Sequence, residues 1–137
     1  QGAMDGLFTP GSSQRLLELD GLTMVQADAF CARPYGNGVL AGICQEEEDR
    51  EMVYTIIDRL VERSARLVCA NFAGMRIHRP ACIVAEGSTF YKGHLFRGKL
   101  ERLCAEYITG RLGRYYAFRQ VADANLIGTA AAALLNP

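Results

Sequence analysis

Ile83-Val84-Ala85-Glu86-Gly87-Ser88-Thr89-Phe90-Tyr91-Lys92 is the stretch on which the fold turns. A short apolar run stops at Gly-Ser and resumes with aromatic side chains and a lysine. A strand that delivers a small-residue turn to a helix start is where an α/β protein commonly holds a phosphate or a nucleotide. Nucleotide binding is therefore the first functional hypothesis, with Gly87 and Ser88 at its centre. The structural alternative is a plain strand-to-helix turn capped by Ser88.

Downstream of Pro80, the continuous apolar run Ala81 to Ala85 suits a strand covered on both faces. Helical spacing returns from Phe96 to Thr109 through Phe96, Leu100, Leu103, Cys104, Tyr107 and Ile108, with Gly110 and Gly113 as stops. Arg114 to Val121, carrying Tyr115, Tyr116, Phe118 and Val121, reads as a second strand. Asp123 to Leu135 closes the chain as a helix whose first turns are small and apolar. A strand, crossover helix and strand in that order form a right-handed parallel unit, and such sheets bind ligands at the carboxyl ends of their strands. Both of those ends, Ala85 to Ser88 and Val121 to Asn125, are turns of small or polar residues. They are expected to share a site.

Upstream, Gln45-Glu46-Glu47-Glu48-Asp49 sets four carboxylates at the head of a periodic segment, where free amides and the helix dipole favour negative charge. A helix start is the reading adopted; an acidic metal site is the functional alternative. From Met52 the apolar positions Val53, Ile56, Ile57, Leu60, Val61, Leu67, Val68, Phe72 and Met75 recur at three- and four-residue steps, predicting one long helix over roughly 47 to 75. Its second half carries Ser64, Ala65, Cys69, Ala70, Asn71, Ala73 and Gly74, a stripe suited to close packing. Asn71 is expected to make a structural hydrogen bond. The first third reads as short helices: Ser12 to Leu19, then Met24 to Ala32 with Thr23 as N-cap, ended by Arg33-Pro34. A glycine-rich loop and Val39 to Cys44 lead into the long helix.

Half of the residues are hydrophobic, the composition of an ordinary globular domain. Gln1-Gly2-Ala3 reads as the remnant of a cleaved tag, leaving residues 4–137 as a single domain. No apolar run approaches the length of a membrane span, so no membrane partner is expected. The 15 basic and 15 acidic side chains cancel, leaving no long-range field to recruit nucleic acid. Cys31, Cys44, Cys69, Cys82 and Cys104 are odd in number with no close pair, which favours free thiols in a reducing cytoplasm over a disulfide framework or zinc site. His78 and His94 are isolated, and no metal site is assigned.

Several of these segments together resemble the hexokinase family of the actin-like superfamily of sugar kinases and ATPases. Ile83 to Lys92 is similar to that family's adenosine-motif strand and turn: an apolar run, an acidic residue, Gly, Ser or Thr, an apolar residue, Tyr and Lys. His94-Leu95-Phe96 and the helix to Tyr107 fall where hexokinases place a His-Pro-aromatic turn and a long helix. Arg59 to Ala70 looks like the helix that precedes the adenosine strand. Asp123-Ala124-Asn125-Leu126-Ile127-Gly128-Thr129-Ala130-Ala131 is similar to the final turn and Gly-Ala-Ala helix, and Asp5-Gly6-Leu7-Phe8 resembles a Glu-Gly-Leu-Phe segment. There are departures: Ala85-Glu86 stands where Val-Asp is usual, and Asp123 to Gly128 replaces a more glycine-rich Asp-Gly-Ser-Gly-Lys-Gly turn.

The resemblance implies a helix-rich α/β fold, part of a ribonuclease-H-like (actin-like ATPase) domain, with a small, mostly parallel sheet packed by long helices. It further implies the carboxy-terminal part of a hexokinase large domain, contributing the adenosine side of an ATP site through Glu86, Gly87, Ser88, Asp123, Ala124 and Gly128. ATP, with Mg in the complete enzyme, and a hexose are the implied ligands. The family's phosphate hairpin, sugar-binding small domain and aspartate base would all precede Met4. Phosphoryl transfer is mostly positioning and charge stabilisation, so this portion alone is expected to be inactive, and no catalytic residue is assigned. Sugar contacts stay unassigned; neither Gln26 nor Asp28 can be aligned residue by residue with the family's sugar-contacting acid. The alternative is a free-standing, non-catalytic interaction module that retains the fold. A domain cut through its sheet should also self-associate, as a symmetric dimer, unless an amino-terminal half covers it.

Overall fold

Helix formation dominates because the apolar residues recur at helical spacing and the turns between them are well punctuated. A computed structural model describes residues 6–75 and 79–135, with backbone alone at Ser88 and Thr89. Residues 1–5, including Met4 and Asp5, and His78 lie outside the described residues. The order is α1 (Pro10–Leu17), α2 (Met24–Ala32), α3 (Val39–Ile43), α4 (Glu47–Gly74), β1 (Ala81–Val84), α5 (Ser88–Lys92), α6 (Phe96–Cys104), a π-helical segment (Ala105–Arg111), β2 (Tyr116–Arg119) and α7 (Ala124–Leu135).

Pro10 opens α1, where its missing N–H and fixed φ suit the first turn, so that helix begins and ends two residues before the predicted span. Thr23 caps α2 as expected. Its hydroxyl accepts from the Gln26 N–H, and the Gln26 side chain accepts from the Thr23 N–H, a reciprocal capping box.

The long helix stands nearly as predicted. Its 28 residues span about 42 Å at 1.5 Å per residue. Two cores line it. Val53, near its start, packs with Phe30 and Cys31 of α2 and with Leu40, Ala41, Ile43 and Cys44. Ala65 and Cys69, from the small-residue stripe, pack with Phe90, Leu100, Leu103, Cys104 and Ile108. Small side chains let α6 approach α4 closely. Asn71 is exposed, and the bond formed there is its backbone carbonyl accepting the Met75 N–H. At the helix surface Glu62 accepts from Arg66, Lys99 and Arg102, and Lys99 also pairs with Asp58 at 2.8 Å.

The two strands form a parallel pair in the register Ala81↔Tyr116 to Val84↔Arg119. Three expectations change here. The β1 run is not covered on both faces. Ala81 and Ile83 are half-buried while Cys82 and Val84 are exposed, because among the described residues helices pack on one side of the sheet only. The strand predicted over 114–121 is shortened to Tyr116–Arg119, because the Arg114 side chain and N–H are used elsewhere. The helix predicted over 96–109 continues through Gly110 as a π-helical segment; Gly113, at φ +63°, ends the turn. Four of the five cysteines are buried free thiols, as read; Cys82 is exposed. Burial pushes Cys31 up to about 11 and Cys104 up to about 12, so both are protonated and unreactive at neutral pH.

Candidate functional site

Parallel pairing decides where the two turns leave the sheet. Val84 and Arg119 end their strands side by side, and the Ala85 N–H donating to the Arg119 carbonyl at 3.1 Å carries the ladder one residue further. The turn after β1 and the turn after β2 therefore depart from the same end of the sheet.

The first turn runs through Gly87, at φ +101° and ψ 154°, a conformation open to glycine and scarcely to any other residue. Gly87, and not Ser88, takes the N-cap position, and α5 begins at Ser88. This one-turn helix is anchored by Phe90, 6% exposed, whose ring lies 5.1 Å from Phe118 and 4.9 Å edge-on from Tyr91. Phe118 in turn meets Tyr116 and Phe72, so an aromatic layer from α4, α5 and β2 covers the inner face of the sheet. The Arg97 guanidinium lies 5.5 Å from the Phe90 ring centre.

The second turn runs through Asp123, held at φ +54°, a left-handed conformation that aspartate tolerates better than most side chains. Its carbonyl accepts the Ile127 N–H at 3.0 Å, which starts α7. Thus both turns enter a helix through a left-handed residue at the carboxyl end of a parallel strand.

Of the residues singled out from the sequence, Glu86, Gly87 and Asp123 are exposed on these turns and Ala124 is half-buried beside Asp123. Ser88 follows Gly87 at the backbone level. Gly128 lies one turn along α7, and a methyl group added at Gly87 or Gly128 meets no atom within 4 Å. Both glycines therefore border open space. Two hollows lie away from these turns. An apolar one of about 330 Å³ runs beside β1, lined by residues including Phe72, Met75, Cys82, Ile83 and Tyr115. A wider one, of about 610 Å³, opens between the starts of α1 and α4 at Thr9, Arg15 and Glu46.

Two carboxylates had roles that the sequence did not signal. Asp49 is 2% exposed, and its oxygens accept from the Thr9 N–H at 3.0 Å and the Thr9 hydroxyl at 2.5 Å. Burial pushes its pKa up, but hydrogen bonds from Ser12 and Thr9 and the charge of Arg15 outweigh that and hold it below the ordinary value. Asp28 accepts from the His94 backbone N–H at 2.7 Å. The acidic run is thus a helix start, as read, with one member turned inward. No group of three or more metal-ligating side chains occurs among the described residues.

A parallel strand pair with small-residue turns at its carboxyl ends is the arrangement of α/β proteins that bind ligands at the sheet end. The family model described as Hexokinase matches residues 19–135, a span from just after α1 to the end of α7 that includes both turns. The chain belongs to the hexokinase family. No match was found among curated proteins or among solved structures. No helix among the described residues is long and apolar enough to cross a membrane.

Proposed function

We propose that this chain is the carboxy-terminal part of the large domain of a hexokinase-family sugar kinase and contributes the adenosine side of its ATP site. The observation that carries the reading is the register Val84↔Arg119, which sends the Glu86–Ser88 turn and the turn at Asp123 off the same end of the sheet. The family match covers both turns and supports a nucleotide and a hexose as the ligands of the complete enzyme.

The residues present suit a nucleoside better than its phosphates. Gly87 and Gly128 border open space and Ala124 is small, and the Glu86 and Asp123 carboxylates are acceptors for hydroxyl groups. Nucleoside and phosphate contacts divide between this part and the rest of the fold, and Mg belongs with the phosphates. On this reading, phosphoryl transfer needs the base and the phosphate hairpin of the complete enzyme, and this portion by itself is inactive. The proposed sheet is the end of an actin-like ATPase sheet, and the proposed compartment is the cytoplasm.

Addition of ATP or ADP at millimolar concentration tests the nucleotide site. At about 100 times its dissociation constant a ligand adds roughly 2.7 kcal/mol of stability, a shift of several degrees for a domain of this size. No shift in melting temperature with either nucleotide counts against the site.

A second reading is favoured by α7, which has no buried residue and exposes Leu126, Ile127, Leu134 and Leu135. On that reading the chain is a non-catalytic module that uses this surface for association. Nucleotide-independent self-association with no thermal shift is its signature.

A further inference from the structure

One side chain joins the amino-terminal helices to the segment that carries the Gly87 turn. Asp28 lies within α2, and its Oδ1 accepts the His94 N–H across 66 positions of sequence. His94 is the middle residue of the three-residue linker between α5 and α6. Its neighbour Leu95 packs on the core built around Phe30 and Leu40, whereas Phe90, in α5, is buried in the other core. The linker therefore bridges the two cores, one helical turn away from Gly87.

A five-residue helix has no stability of its own and takes its position from whatever holds its ends. Phe90 holds α5 against the sheet. The carboxylate of Asp28 holds its carboxyl end against α2. We infer that Asp28 is a positioning residue for the Gly87–Ser88 turn, tethering the α5–α6 linker to α2 and so tying the turn to the amino-terminal helices. The functional meaning of this tether rests on the nucleotide reading above; its existence rests on the hydrogen bond and on the bridged cores.

Backbone amide exchange on the full chain, compared among wild type, Asp28→Ala and Asp28→Asn, tests it. Alanine is the better helix former in α2, so its own helix is not weakened, and asparagine keeps the Oδ1 acceptor. Asp28→Ala is expected to speed exchange at His94 by about tenfold, the loss of one charge-assisted bond. The amides of α5 should speed up with it, α2 and β1 should not, and Asp28→Asn should recover most of the protection. Acceleration confined to His94, or none, overturns the tether.

Calorimetric titration of the same three proteins with ATP reads the second half. A several-fold weaker dissociation constant in Asp28→Ala, restored in Asp28→Asn, is the expected result. Equal affinity in wild type and Asp28→Ala overturns the positioning role. Absence of ATP binding to the wild type overturns the nucleotide reading instead, and the exchange data still decide the tether.

Discussion

Gly87 is where one added methyl group tests the candidate site most directly. Its φ of +101° is nearly closed to L side chains, yet a Cβ there meets nothing within 4 Å. The penalty of Gly87→Ala is therefore torsional, about 1–3 kcal/mol, and is read as a lowered urea midpoint at unchanged m-value. Gly128 is the control. It is helical and borders open space, so Gly128→Ala should stabilise by about 0.5–1 kcal/mol. Equal effects of the two substitutions would contradict the geometry of the turn.

Asp49 makes a pH prediction at the same scale. Its folded pKa is depressed below 3.8, so the stability it contributes is present above the unfolded value and is lost as pH falls through the folded one. Glu62, which burial pushes up but which Arg102 and Lys99 pull below 4.5 by a larger amount, acts in the same direction. Wild type should therefore lose stability below about pH 4. Asp49→Asn should be less stable at neutral pH and show a shallower acid limb, measured by thermal melts from pH 3 to 7.

Among elements, α4 was the most legible from sequence. Nine apolar side chains at helical steps and an acidic first turn are local signals, and they predicted α4 to within a residue of its end. What finishes α4 is not local. The Arg114 guanidinium donates to the Ala73 carbonyl at 2.9 Å and to the Met75 carbonyl at 2.8 Å, closing a helix end from about forty residues away. Arg114→Ala should cost about 1–3 kcal/mol in chemical denaturation, since it leaves two carbonyls without their charged donor. Arg114→Lys should recover only part of that, because the ammonium nitrogen sits one bond short of the reach of Nη1, which donates to both carbonyls. The exposed outer face of β1 was illegible for a related reason. An apolar run shows that a strand can be buried on both sides, not that anything covers the second.

The whole molecule carries its apolar surface unevenly. α7 has no buried residue, Leu134 and Leu135 are 83% and 80% exposed, and Ile56, Leu60 and Leu67 form an exposed line on α4. Exposed apolar surface of this extent marks a contact surface. The chain should self-associate, as a symmetric pair, at high concentration. Multi-angle light scattering across a concentration series reads this as a mass rising toward twice that of the chain. A constant monomer mass at every concentration sets that expectation aside.

By itself the sequence determined the long helix, the Thr23 capping box, the strand-turn-helix order around Gly87 and the membership in the hexokinase family, which the match over residues 19–135 bears out. Each depends on side chains within a few positions of one another, or on a motif that keeps its order along the chain. Tertiary structure alone decided that the strands pair in the register Val84↔Arg119, that Asp49 turns inward to Thr9, and that Asp28 reaches His94. Those pairings join residues 35 to 66 positions apart. They exist because burial of the two cores along α4 brings distant backbone groups together, and buried or tethered polar groups then take whichever partner that packing presents.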